Sequence, residues 1–152
     1  MKASFLRYLP AGASALLIAG CGIGFNEMTG GDGGRGDARD LALETLQYDR
    51  VDAARGDNTD WKKFTLEEDG KVQINVWWMA PEEVKSTVEL RDQGGDLVKA
   101  VKHSGDDRKL MVGPQELKKG TYFIEFSATS GASDYGFEVK ILGSSSSGPI
   151  LD

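Results

Sequence analysis

The sequence predicts an all-β domain, an antiparallel sandwich or barrel of about seven or eight short strands with little helix. Two observations predict this fold class. Apolar and polar side chains alternate with a period of two through several stretches. Turns rich in Gly and Asp separate these stretches, such as Asp69-Gly70, Gln93–Asp96 and Lys119-Gly120. The chain has 152 residues, a length typical of one domain.

The clearest alternation predicts strands with one face on a core and the other in water. These strands are Val72–Trp78, Tyr122–Ser127 and Tyr135–Ile141. Shorter candidates are Trp61–Leu66, Thr87–Arg91, Leu97–Val101 and Lys109–Val112. Asp40–Gln47 has leucines near helical spacing and is compatible with a short helix, while Gln47–Ala54 is equally compatible with a first strand.

Composition excludes several kinds of partner and site. The chain has 18 basic and 24 acidic residues, a net charge of −6, which makes it a poor ligand for nucleic acid. With one Cys it has no internal disulfide, and with one His no site built from several histidines. We therefore expect no nucleic acid partner, no cofactor and no metal.

The first 20 residues predict a secretory signal peptide. Lys2 and Arg7 precede a modestly apolar stretch, Tyr8–Ala19, which contains no acidic residue. Pro10 and Gly12 interrupt this stretch, and it is too short to span a bilayer.

The signal ends in Leu17-Ile18-Ala19-Gly20-Cys21, which resembles the bacterial lipobox. The resemblance implies that Cys21 carries fatty acids such as palmitate, that residues 1–20 are removed, and that the lipid anchors the chain in a membrane. Two or more acyl chains are needed for stable anchoring. Gly22, rather than Asp, follows the Cys, which favours the outer membrane, at its periplasmic face or on the cell surface. The alternatives are an ordinary cleaved signal with an incidental Cys, or a buried N-terminal helix.

Three further regions follow the signal. Residues 21–37 include Gly30-Gly31-Asp32-Gly33-Gly34 and few apolar side chains, and this composition predicts a flexible, lipid-anchored tether. Residues 38–142 hold the predicted strands. Residues 143–152, which begin Gly143-Ser144-Ser145-Ser146-Ser147-Gly148, predict a frayed tail.

A set of motifs in the folded part resembles bacterial pre-peptidase C-terminal (PPC) domains. It begins with Gly56-Asp57-Asn58-Thr59-Asp60-Trp61, followed by Phe64 and Leu66, and Lys62 stands where that family usually has Tyr. It continues through Gly70-Lys71-Val72, the hairpin Val88–Leu97 and Leu117–Ile124, and ends at Ser130–Tyr135. The resemblance covers about residues 45–141. It implies a jelly-roll-like β-sandwich without catalytic activity, of a kind that assists secretion, processing or substrate attachment of secreted peptidases.

Four positions are candidates for large structural or ligand-binding side chains. Trp77 and Trp78 are adjacent on one predicted strand, so they face opposite sides. The phase of that strand buries Trp78 and exposes Trp77, which is a candidate for ligand contact on a sugar or a protein, or for packing. Trp61 and Tyr122 are expected to be core or corner residues whose polar atoms find partners near a sandwich edge.

The remaining polar candidates favour structural roles. His103 follows a predicted strand and is expected on a surface loop. Asp57, Asn58 and Asp60, with Asp106, Asp107 or Asp134, offer oxygen ligands of the type that calcium prefers. Their spacing matches no EF-hand loop, and Asp and Asn are common in turns for conformational reasons.

These observations predict a non-catalytic envelope protein whose sandwich is a binding or assembly module for a protein partner. The alternative is a glycan- or matrix-binding module that uses exposed aromatic side chains. A hydrolase would require a converging Asp/Glu pair in a cleft, for which short strands and small loops leave little room.

Overall fold

A computed structural model describes residues 30–103 and 105–143. It confirms the all-β class. The strands are β1 Arg39–Asp40, β2 Gln47–Asp52, β3 Thr59–Leu66, β4 Gly70–Trp78, β5 Val84–Arg91, β6 Leu97–His103, β7 Lys109–Leu117 and β8 Gly120–Ile141. Short 3-10 helices lie at Arg35–Asp37, Ala53–Arg55 and Pro81–Glu83. In this part of the chain no helix is long and apolar enough to cross a membrane.

Two sheets share the long strand β8. The first sheet has the order β1-β3-β8-β5-β6 and uses the N-terminal part of β8, up to Gly131. The second sheet has the order β2-β8-β4-β7 and uses Ala132–Ile141 of the same strand. Neighbouring strands are antiparallel, except that β1 and β3 are parallel. This exception to the predicted antiparallel pattern arises because β2, which lies between them in the chain, belongs to the other sheet.

The core lies between the inward faces of the two sheets. On β4 the buried apolar residues are Val72, Ile74, Val76 and Trp78, and on β8 they are Tyr122, Ile124, Phe126, Ala128, Tyr135, Phe137 and Val139. Phe126 stacks on Tyr135 with ring centroids 4.6 Å apart. The period of two predicted these faces, although Ile141 lies beyond the core and is exposed.

Strand β8 changes sheets at Gly131 without reversing direction. The sequence predicts a turn at Ser130-Gly131, but the strand runs on from Gly120 to Ile141. Gly131 has a φ of +80°, and a Cβ there would lie 1.6 Å from the carbonyl oxygen of Glu83. The turn signal therefore marks a close approach of two backbones.

The segment Asp40–Gln47 forms no helix, so the prediction of a short helix there is wrong. The alternative prediction, a strand that begins at Gln47, is confirmed as β2. The amide of Leu41 donates to the carbonyl of Lys63 over 2.9 Å, and that of Glu44 to the carbonyl of Val139 over 2.9 Å. Leu41 and Leu43 pack against the core. The leucine spacing reflects these contacts of an extended segment with the sandwich.

The ordered fold begins before residue 38, the predicted first residue of the sandwich. Asp32 and Ala38 are buried, and the guanidinium of Arg35 lies 5.8 Å from the ring centroid of Phe123. A buried ion pair to Lys62 holds Asp32, so the segment is ordered through a charge rather than through apolar surface. Cys21 and the rest of residues 1–29, and the tail from residue 144, lie outside the described residues.

Candidate functional site

An apolar groove crosses the outer face of the second sheet. We call it the aromatic groove, and its lining residues are Leu46, Tyr48, Trp77, Trp78, Met79, Arg108 and Gly136. Register explains why they meet. Tyr48 and Trp77 both pair with Gly136, from opposite sides, and Trp77 pairs in turn with Lys109. Four strands thus place Tyr, Gly, Trp and Lys in one row.

Gly136 forms the floor of the aromatic groove. A Cβ at this position would lie 3.2 Å from Cε1 of Tyr48 and 3.5 Å from Cδ1 of Leu46. These side chains therefore lie over the glycine, as aromatic residues do over glycines in other sheets. The space that a side chain at position 136 would take is thus filled by Tyr48 and Leu46, and the groove is bordered by these side chains together with Trp77 and Met79.

The walls of the groove are unusually apolar for a protein surface. Leu46 is 46% exposed, Met79 41% and Tyr48 39%. The groove encloses about 330 Å³, at the lower end of the roughly 300–1,000 Å³ typical of ligand pockets. This space admits one or two apolar side chains or a single ring.

The two adjacent tryptophans lie on opposite faces, as predicted. Trp78 is fully buried, with its ring centroid 5.1 Å from that of Tyr135. Trp77 is half-buried rather than exposed, and the ammonium of Lys109 lies 5.5 Å from its ring centroid. The structure therefore places Trp77 where a ligand can reach it, and ligand contact at Trp77 stays a prediction.

A group of charged side chains lies inside the sandwich, and we call it the buried charge cluster. It consists of Asp32, Asp49, Asp60 and Lys62, all at most 1% exposed. Lys62 is on the inward face of β3, and its ammonium contacts the carboxylates of Asp32 and Asp49. The hydroxyl of Tyr135 donates to Asp60 over 2.6 Å. Carboxylate oxygens of the three aspartates lie within 4.8 Å of one another.

Burial governs the protonation of the buried charge cluster. It raises the pKa of Asp60 to about 7, although the Tyr135 hydrogen bond opposes the increase. Burial also raises the pKa of Asp49, against the charge of Lys62. The pKa of the Tyr135 phenol lies well above its usual value, again mainly because of burial. A single ammonium thus stands among carboxylates that are costly to ionise.

The calcium candidates separate in the structure. Asp60 enters the buried charge cluster, where Lys62 supplies the positive charge. Asp57 instead pairs through its backbone with Asp52, and Asn58 is exposed. Asp134 forms an ion pair with Arg50 over 3.2 Å. The sequence candidates therefore do not converge on one cation.

His103 is not on the surface, which corrects the sequence prediction. It is 4% exposed, and its Nδ1 and Nε2 lie 3.2 Å from the carbonyl oxygen of Val84 and 2.9 Å from that of Asp107. Its ring centroid is 5.4 Å from that of Trp78. β6 extends two residues beyond its predicted end, so the imidazole falls within the edge of the core.

Tyr122 has the predicted structural role, whereas Trp61 lies on the outer face of its sheet and not in the core. Tyr122 is buried, stacks on Phe64 and donates its hydroxyl to the carbonyl of Lys118 over 2.9 Å. Trp61 is half-buried on the outer face of the first sheet, in edge contact with Phe123 and 5.8 Å from the guanidinium of Arg91.

Comparison with solved structures identifies the architecture. The chain is similar to the pre-peptidase C-terminal domain of a collagenase from Bacillus anthracis, with a TM-score of 0.56 and 18% identity over 68% of this chain and 94% of that chain. The fold is PPC-like. At this identity the likeness concerns the fold and not the activity.

Weaker likenesses extend to other β-sandwiches. The periplasmic g-type lysozyme inhibitor PliG from Aeromonas hydrophila aligns with a TM-score of 0.44 and 11% identity, over 69% of this chain and 96% of that chain. A mitogen derived from Yersinia pseudotuberculosis aligns with a TM-score of 0.44 and 12% identity, over 70% and 92%. No model of a known protein family and no curated protein matches the sequence.

The PPC-like fold explains where the sequence motifs lie. The Asp60-Trp61 pair begins β3, with Asp60 turned into the sandwich and Trp61 turned outward. Lys62, which replaces the usual Tyr of the motif, supplies the ammonium of the buried charge cluster. None of the residues that line the aromatic groove belongs to these motifs.

Proposed function

We propose that this chain is a non-catalytic, lipid-anchored protein of the bacterial envelope whose PPC-like sandwich binds a protein partner. The aromatic groove is the observation that carries the proposal. Apolar side chains clustered on a soluble surface mark interaction sites, and Trp and Tyr are enriched among the residues that dominate binding energy. Trp77, Tyr48 and Met79 provide such a cluster around the glycine floor.

The absence of catalysis is supported by the positions of the polar groups. The carboxylates of Asp32, Asp49 and Asp60 lie together but are buried, so they do not face a substrate cleft. Both ring nitrogens of His103 lie against backbone carbonyl oxygens. A general acid or base must reach the proton that it transfers, and these groups reach no solvent-filled site.

The groove can be tested by photocrosslinking in living cells. A photoreactive amino acid at position 77 should form an adduct of one defined mass with a protein partner when the full chain is expressed in its native envelope. The matched control carries the same amino acid at position 61, which is half-buried on the outer face of the other sheet. Absence of an adduct at 77, or the same adducts from both positions, would contradict the proposed binding surface.

Lipid anchoring is a separate part of the proposal and depends on the lipobox resemblance. Cells given radiolabelled palmitate should label the wild-type chain and not Cys21→Ser, and only the wild-type chain should sediment with outer membranes. Since Cys21 is the only cysteine, label that persists in the variant would contradict acylation at this residue.

Glycan binding remains the second candidate function, because the rings of Trp77 and Tyr48 line the groove and a sugar can stack on such a ring. Binding of envelope or matrix polysaccharides that is lost in Trp77→Ala would favour it over a protein partner. Trp61→Ala is the control for general loss of aromatic surface.

A further inference from the structure

The aromatic groove has a positively charged rim in a chain of net charge −6. Arg108 lines the groove, and Lys109 lies over the ring of Trp77. Both residues are exposed. Among the described residues, neither side chain has a carboxylate within 4.0 Å.

The acidic residues nearest in register are engaged elsewhere. On β8, Asp134 and Glu138 lie on either side of Gly136 and face the same way. Asp134 pairs with Arg50 over 3.2 Å and Glu138 with Lys140 over 3.5 Å. The charges of these two β8 carboxylates are therefore compensated by their own partners, whereas Arg108 and Lys109 form no ion pair with the described residues, and the ammonium of Lys109 lies over Trp77.

From this arrangement we infer that the occupant of the aromatic groove is an acidic peptide segment with a large apolar anchor side chain. The inference rests on the proposed binding function and specifies its partner. The anchor fills the groove bordered by Tyr48, Trp77 and Met79, and carboxylates beside it pair with Arg108 and Lys109. Complementary charges across an interface speed association and favour the correct partner over others.

The chemistry of the walls favours a peptide over a sugar. Leu46 and Met79 are aliphatic, and Met is adaptable and common at peptide-binding surfaces. A sugar site requires several polar groups that converge on ring hydroxyls. In the groove, Arg108 is the charged side chain, and the other lining residues are apolar or aromatic except for the glycine.

Selection from a random seven-residue peptide library displayed on phage tests the inference. The bait is the purified full-length chain, immobilised through a C-terminal tag. Enriched peptides should combine Leu, Phe or Trp with Asp or Glu within two positions. The same selection on the double variant Arg108→Glu, Lys109→Glu should enrich Lys and Arg in place of the acidic residues.

A control variant separates local from overall charge. Lys99→Glu, Lys102→Glu changes the net charge by the same amount at exposed positions of β6, in the other sheet, and should enrich the same peptides as the wild type. The synthesised best peptide should bind the groove variant at least tenfold more weakly than the wild type. Its affinity for the wild type should fall as salt is added, because salt screens exposed charges. Thermal unfolding checks that each variant is folded.

Several outcomes would overturn the inference. They are enriched peptides without acidic bias, an unchanged preference after charge reversal, or no enrichment at all. Concentration-dependent dimerisation lost in Trp77→Ala would assign the groove to a second copy, and glycan binding with no peptide selected would assign it to a sugar. A partner crosslinked at position 77 together with any of these outcomes would leave the proposed function standing and reject only the acidic peptide.

Discussion

At the scale of single residues, Lys62 is the least expected feature of the chain. A lysine that is 1% exposed loses the hydration of its charge, and the carboxylates of Asp32 and Asp49 compensate that loss. The alternation Asp60, Lys62, Phe64, Leu66 already places the lysine on the inward face of β3. The sequence pattern therefore predicts that Lys62 faces inward, but it does not predict which carboxylates contact its ammonium.

Replacing Lys62 should be strongly destabilising. Lys62→Met removes the ammonium and leaves buried carboxylates without compensation, which costs about 3–5 kcal/mol of unfolding free energy. Lys63→Met is the matched control, since Lys63 faces outward with its side chain 37% exposed and pairs with exposed Asp40 over 3.4 Å; it should cost less than about 1 kcal/mol. Urea unfolding at pH 8 measures both, and equal effects would contradict an energetic role for the buried pairs.

Asp60 should make stability depend on pH. Burial raises its pKa from 3.8 to about 7 in the folded state. Between about pH 4 and pH 7 the folded chain therefore keeps a proton that the unfolded chain has released, so stability falls as pH rises through this window and levels above it. The slope is at most about 1.4 kcal/mol per pH unit for one proton.

Asp60→Asn should remove most of this slope, because the amide keeps an oxygen acceptor for Tyr135 and carries no titratable proton. The variant should therefore gain stability relative to the wild type as pH rises from 5 to 8. Urea unfolding at several pH values is the measurement. Parallel curves for the two chains would show that the pH dependence originates elsewhere, for example at Asp49.

At the scale of elements, β8 is the strand that joins the two sheets. It pairs with β3 and β5 in the first sheet and with β2 and β4 in the second. The change of sheet requires the positive φ of Gly131 and its contact with the backbone of Glu83. A change at this one position therefore affects both halves of the sandwich.

Gly131→Ala should destabilise the fold by roughly 2–4 kcal/mol. The left-handed φ costs about 1–2 kcal/mol in a residue with a Cβ, and overlap with the Glu83 carbonyl forces a backbone shift on top of that. Gly36→Ala is the control, because a Cβ there meets nothing within 4 Å and its φ is not positive. Thermal unfolding compares them, and a Gly131 variant as stable as the control would show that β8 crosses without this constraint.

The strands also show which features of the fold the sequence alone predicts. Period-two alternation located the strands because each buries one face, and it separated Trp78 from Trp77 correctly. It did not locate the aromatic groove, since Tyr48, Gly136 and Trp77 meet through the register of three strands. It also missed the burial of His103, because the carbonyls that contact its ring come from Val84 and Asp107. Local sequence patterns therefore predict which face of a strand a residue occupies, whereas the pairing of distant strands determines which residues meet at a site.

At the scale of the whole molecule, the N-terminal segment 30–38 is part of the folded unit. The backbone carbonyl of Asp32 accepts from the amide of Trp61 over 2.8 Å, while its carboxylate reaches the ammonium of Lys62. Arg35 donates to the carbonyl of Gly94 over 2.6 Å. If Cys21 is acylated, as we propose, these contacts bring the start of the folded unit closer to the anchor along the chain than the predicted tether of residues 21–37 would.

Releasing this attachment should expose the segment without unfolding the domain. Asp32→Asn removes one carboxylate from Lys62, but Asp49 still pairs with the ammonium, so the sandwich should persist. Trypsin should then cut after Arg35 roughly tenfold faster, because local opening exposes the cleavage site at a cost about 1.4 kcal/mol lower. Asp37→Asn, at an exposed position of the same segment, removes the same charge and should be cut at the wild-type rate. Equal acceleration in both variants would mean that charge near the cleavage site controls the access of trypsin, rather than attachment through Lys62. The distance between membrane and groove would then be set by the tether alone.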